Sequence, residues 1–152
     1  MGRRQFEAAA VLTAVLVGIT LVAAGTVPSV AQEGEGFLAA NGRVSFRLYC
    51  ASCHGTSAKG DGSVAKFLKV PPADLTLLSQ KYAGELPEDK LYSIIDGREE
   101  VRAHGRREMP VWGDVFQSPL SDTAQTGETG QERVDRKVQE LIVFLRTIQV
   151  EE

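Results

Sequence analysis

Cys50-Ala51-Ser52-Cys53-His54 is the stretch on which the reading of the whole chain turns. Two thiols separated by two residues, with a histidine directly behind the second, have the spacing of covalent haem attachment. Chemistry accounts for that spacing. Each thiol adds across one of the two vinyl groups of a porphyrin, so the sulfurs must sit a fixed distance apart, and a short turn with two intervening residues achieves this. His54 then lies under the iron as proximal ligand. Other uses of the pair fit less well. Zinc wants four ligands, usually Cys or His, and the chain holds 2 of each, with His54 abutting Cys53. A thioredoxin-like dithiol would need alternating strands and helices around it, and no such strand pattern is visible. A simple structural disulfide is disfavoured too.

Working outward, the text around the motif is Tyr49-Cys50, then His54-Gly55 followed by Lys59-Gly60-Asp61-Gly62, then Pro71-Pro72-Ala73-Asp74-Leu75-Thr76, then Met109-Pro110-Val111-Trp112, and a closing apolar helix. On these residues the chain resembles the class I c-type cytochromes, in their mono-haem bacterial form. The resemblance implies an all-α cytochrome c fold: about four to five short helices wrapped around one covalently bound haem c, the first and last helices crossing. By the same resemblance Gly42 and Phe46 mark the close approach of the first helix to the last, where Phe144-Leu145 is the matching pair. The carbonyl of Pro71 or Pro72 is expected to accept the hydrogen bond from His54 Nδ1, leaving Nε2 for iron.

Met109 is the only methionine after Met1, so a thioether distal ligand has no other source. It stands beside Pro110, Val111 and Trp112 in a loop between two helices, a context that favours ligation over core filling. His104 is the rival ligand, in the same loop. The Trp112 indole is a candidate donor to a haem propionate, or plain packing. The function implied is that of an exported electron-transfer protein with His54/Met109 ligation, not an enzyme, exchanging electrons with donor and acceptor proteins. Two alternatives stay open: a haem subunit of a membrane respiratory or dehydrogenase complex, or a ligand-binding or sensor haem protein if the distal position is open.

The 152-residue chain fits one domain. Arg3 and Arg4 form a positive leader, no charge occurs from Ala8 to Val27, and Ser29-Val30-Ala31 supplies the small residues of a cleavage site before Gln32. Residues 1–31 are therefore expected to be a signal peptide, or an uncleaved anchor, since the uncharged run is just long enough to span a bilayer. Either form places the remainder outside the cytoplasm, in the periplasm or on the outer face of the membrane. Contact with the membrane is expected only if that segment is retained. The net charge of −3 becomes one unit more negative once Arg3, Arg4 and Glu7 are removed. Nucleic acid is excluded as a partner, because it calls for a clustered basic face on a basic domain.

Residues 32–36 are Gly/Glu-rich and are expected to form a flexible leader to a domain spanning 37–150. Phe37, Ala40, Val44 and Leu48 then fall at a three-four spacing that marks one face of a helix. The glycines after His54 suit a loop wrapping the haem edge, and Val64, Phe67 and Leu68 make a short apolar patch before two prolines that end any helix. Leu86-Pro87-Glu88-Asp89 is a helix start; Leu91, Ile94 and Ile95 give its inner face, Tyr92 is a candidate haem contact, and Gly97 ends the helix. Arg98 to Glu108 is a charged loop. Ser118 to Gln131 is expected to be an exposed loop, closed by Thr129 and Glu132 at the spacing of a capping box. The last helix carries Val134, Val138, Leu141, Leu145 and Ile148 on one stripe, with Asp135, Arg136 and Lys137 opposite, and Val150 onward is expected to fray.

Overall fold

A computed structural model describes residues 30–97, 109–121 and 127–150. The described chain is all-helical. Helix α1 spans Val30–Ser45 and runs on without a break into a π-helical turn at Phe46–Cys50 and a last turn, α2, at Ala51–His54. Short 3-10 turns at Ala65–Phe67 and Leu75–Leu77 lead into α3, Leu78–Lys81. Then come α4, Glu88–Asp96, α5, Trp112–Gln117, a 3-10 turn at Pro119–Ser121, and α6, Gly130–Thr147.

The architecture is set by α1 crossing α6. A side chain at Gly42 would run into the Glu140 carbonyl and the Phe144 Cβ, so only glycine lets the two backbones come this close. One turn on, the Phe46 and Phe144 rings meet at 5.3 Å, tilted by 47°. Asn41 Nδ2 donates to Glu140 Oε1 at 3.0 Å, and Arg136 donates to the same oxygen at 3.3 Å. The crossing is thus a glycine notch, an aromatic pair and a satisfied buried carboxylate. Beneath it lies one core drawn from the π turn and from α3, α4, α5 and α6: Phe46, Leu78, Leu91, Ile95, Phe116, Val134, Val138, Leu141 and Leu145.

Helix ends follow the local chemistry. In α4, Glu88 and Asp89 occupy the first turn, and Gly97 closes it at φ +87° with its N–H on Ser93 O. In α6 the capping box forms: the Glu132 N–H donates to Thr129 Oγ1 at 3.3 Å and the Thr129 N–H to Glu132 Oε2 at 2.8 Å. Those Thr129 bonds hold the Glu132 carboxyl below its ordinary range. A carboxyl whose folded value is depressed stabilises the fold above its unfolded value, and that contribution is lost as pH falls through the folded one. Thermal melts of Glu132→Gln and the parent should therefore converge as the solution is acidified below the ordinary carboxylate range. Thr129→Ala, which removes the cap itself, should cost about 1 kcal/mol.

Three expectations need correction. The leader 32–36 is helix, not a tether, because α1 begins at Val30 and Glu35 reaches Arg146 of α6 at 3.2 Å, while Arg146 also holds Glu88 of α4. Lys137 does not lie on a solvated face. Lys137 is buried with its ammonium 5.9 Å from the Phe116 ring, and buried Arg133 donates to the carbonyls of Gln117 and Glu128. The expected exposed loop from Ser118 does expose Leu120, while its first turn is tied down: the Ser121 hydroxyl donates to Ser118 O, and the Tyr49 hydroxyl to Ser121 O. Val150 does not fray, since its N–H donates to Thr76 O at 2.9 Å while Gln149 bonds Leu75 and Ser79. No described helix is long and apolar enough to cross a membrane; nearly all of the expected signal or anchor, residues 1–29, lies outside the described residues.

Candidate functional site

Cys50, Cys53 and His54 fall within a single helical stretch where the backbone changes register. The π turn Phe46–Cys50 widens the helix and ends on Cys50 itself, and such insertions inside α-helices gather at functional sites. The α-helical turn Ala51–His54 that follows leaves four carbonyls without intrahelical partners. The glycine-rich segment answers all four: Gly55 donates to Ala51 O at 2.9 Å, Val64 to Ser52 O at 2.9 Å, Gly62 to Cys53 O at 3.1 Å, and Gly60 to His54 O at 2.8 Å. Gly62 lies so close that a Cβ would stand 2.6 Å from the Cys53 carbonyl carbon. Gly55 and Gly60 adopt φ of +79° and +81°, which glycine takes without strain. This loop is a clamp on the motif, fixing the two sulfurs and the imidazole from behind.

The partner of His54 differs from expectation. Its Nδ1 faces the carbonyl of Ala73 at 3.2 Å, not that of Pro71 or Pro72. The cause is register: Leu75 N–H bonds Ala58 O at 2.8 Å, which pins the segment so that Ala73 reaches the ring while the Pro72 carbonyl lies against Gly60. The consequence is the one foreseen for the prolines, with Nδ1 as donor and Nε2 left for a metal. Burial lowers the His54 pKa, with the Ala73 carbonyl opposing, so the ring is neutral and ready to ligate at neutral pH. Cys50 is pushed up to about 12 by burial and by the neighbouring Cys53. Both thiols are free. Cys50 is therefore a protonated thiol at neutral pH, unlike the low-pKa nucleophile of a redox dithiol.

The Met109 segment is brought to the motif by aromatic contacts. Tyr49, directly ahead of Cys50, meets Trp112 edge-on at 5.7 Å and Phe116 at 5.4 Å, and Trp112 stacks on Phe116 at 6.0 Å. Met109 is half-buried and packs against the same core, as do Cys50, Leu75, Tyr82, Leu86 and Tyr92. Behind it, Val111 fills the notch at Gly97. Fully buried Phe116 is the hub of this arrangement, and the sequence reading overlooked it because a lone Phe in a six-residue helix carries no periodicity. Trp112 is placed by packing. Tyr92 is turned toward α6, where its hydroxyl donates to Asp135. Arg98 to Glu108, including the rival ligand His104, lies outside the described residues.

The chemical fit can be judged on these residues. Two thiols on one clamped turn, a neutral imidazole with its outer nitrogen engaged, and a thioether on a loop tied to the same aromatic cluster form a donor set suited to a covalently held haem. Searches against family models, curated proteins and solved structures found no match for this chain.

Proposed function

We propose that this chain is an exported mono-haem c-type cytochrome that carries electrons, with the cytochrome c fold as the reading of its crossed helices. The single observation behind it is the clamped Cys50–His54 turn with Nδ1 of His54 committed to the Ala73 carbonyl. A haem c held here would supply one-electron exchange between ferric and ferrous iron. The chain's own residues do the rest. Cys50 and Cys53 supply the thioether links, and His54 supplies Nε2, its ring orientation set by Ala73. Met109 supplies a soft sulfur, which favours the ferrous state. The Tyr49–Trp112–Phe116 cluster keeps the Met109 segment against the motif and excludes water from that side. Donor and acceptor proteins are the proposed partners, and the periplasm or outer membrane face the proposed location.

The ferric absorption spectrum tests the ligand set. Sulfur ligation predicts a weak charge-transfer band in the far red, and Met109→Ala should abolish it while leaving the covalent link intact. A Met109→Ala protein that keeps the band and the potential of the parent refutes the assignment. Low-spin ligation without the band in Met109→Ala, removed in turn by His104→Ala, would show that His104 takes its place.

A further inference from the structure

Helix α1, with the π turn that continues it, has an inner face packed on α6 and an outer apolar face that is not used. Gly42, Ser45 and Phe46 turn inward against α6. The stripe at three-four spacing, Phe37, Ala40, Val44 and Leu48, points the other way: Phe37 is 67 % exposed, Val44 58 % and Leu48 71 %. Scattered exposed apolar residues are ordinary, whereas a row on one helix face marks an interaction surface. The row runs roughly 16 Å along the helix at 1.5 Å per residue.

Three observations say what covers it. Arg43 and Arg47 flank the stripe one turn apart, and among the described residues neither is paired with a carboxylate. They line a shallow pocket of about 160 Å³ beside the α1–α6 crossing, walled by Phe46, Ala58, Phe144 and Ile148 as well as Thr56 and Ser57, with the Arg43 guanidinium 5.5 Å from the Phe144 ring centre, a size that admits a phosphate group at its polar rim. Ser57 spends its hydroxyl hydrogen on Asp61, which leaves the guanidinium groups and Thr56 as donors. The sequence supplies the third: the uncharged run Ala8 to Val27 ends with only Pro28 and Ser29 before α1 begins. An apolar stripe edged by arginines, beginning beside a segment able to enter a bilayer, has the make-up of a helix that lies in the lipid interface with its cations at headgroup depth. Glu33, toward the start of this face, works against the attraction, while Glu35 is turned away to Arg146.

We infer that the outer face of α1 docks on an anionic phospholipid surface, with Phe37, Val44 and Leu48 in the acyl boundary and Arg43 and Arg47 on lipid phosphates. The inference stands apart from the haem reading. It is tested on the full chain by hydroxyl-radical footprinting, comparing protein alone with protein on phosphatidylcholine vesicles and on vesicles containing phosphatidylglycerol. The expected result is several-fold protection of Phe37 and Leu48 on the anionic vesicles only, lost in high salt and in Arg43→Glu/Arg47→Glu. Tethering by residues 1–31 alone would leave both side chains reactive on either vesicle and would overturn the proposal. So would protection without lipid that grows with protein concentration, which would assign the face to a second copy of the chain. Circular dichroism of the double variant checks that it remains folded, and the footprint of the parent protein decides the matter if it does not.

Discussion

Exported protein in which Cys50 and Cys53 are both replaced by alanine is expected to carry no covalent haem at all, with the added tetrapyrrole mass falling from one per chain to none. The argument is chemical rather than steric. Both cysteines are only part-buried, and alanine fits either position, so loss of packing is small. What disappears is the pair of sulfurs that the π turn and the glycine clamp hold in place. Single replacements should retain a weaker attachment through one thioether, and His54→Ala should keep both links yet lose the proximal bond. A small domain gains much from an apolar cofactor covalently fixed at its centre. The doubly substituted protein should therefore also melt earlier and less sharply than the parent. Intact mass and a thermal melt followed by circular dichroism read both effects.

The second large effect belongs to the helix crossing. Gly42→Val should destabilise the protein by about 3 kcal/mol, at the upper end of what overpacking usually costs. The reason is that the new side chain meets backbone at Glu140 and the Phe144 Cβ, and neither can swing aside. Separating α1 from α6 would also part Phe46 from Phe144 and release Asn41 from Glu140. Against a total stability of roughly 5–15 kcal/mol this is a large fraction. Gly36→Ala is the control. An added Cβ there meets nothing, and alanine's better helix propensity should raise stability by up to about 1 kcal/mol. Chemical denaturation of the two variants beside the parent should show opposite shifts of midpoint, and equal shifts would refute the crossing.

Much of this arrangement was legible in the residues. Gly97, the Thr129–Glu132 box and the Val134–Ile148 stripe each act through neighbours within one turn, so local spacing reveals them. The Gly42–Phe46 pair was legible through family resemblance, and the structure sets it against Phe144 as expected. What stayed hidden depends on distant partners. The three-four stripe of α1 identified a helix but not which side turns inward, because Gly42 and Ser45 look polar or neutral by composition and bury only because α6 needs a close approach. The π turn has no sequence signature. Ala73 replaced the prolines because a single bond from Leu75 to Ala58 sets the register of the segment. Lys137 looked solvated because charge alone does not show that an aromatic ring waits beside it.

One measurement bears most directly on the whole account: a pyridine haemochrome assay combined with intact mass and thiol alkylation of the exported, unmodified chain. The account predicts one haem c per polypeptide, a mass raised by one porphyrin, and neither sulfur open to alkylation. Colourless protein of unadorned mass whose Cys50 and Cys53 both react once unfolded would contradict it.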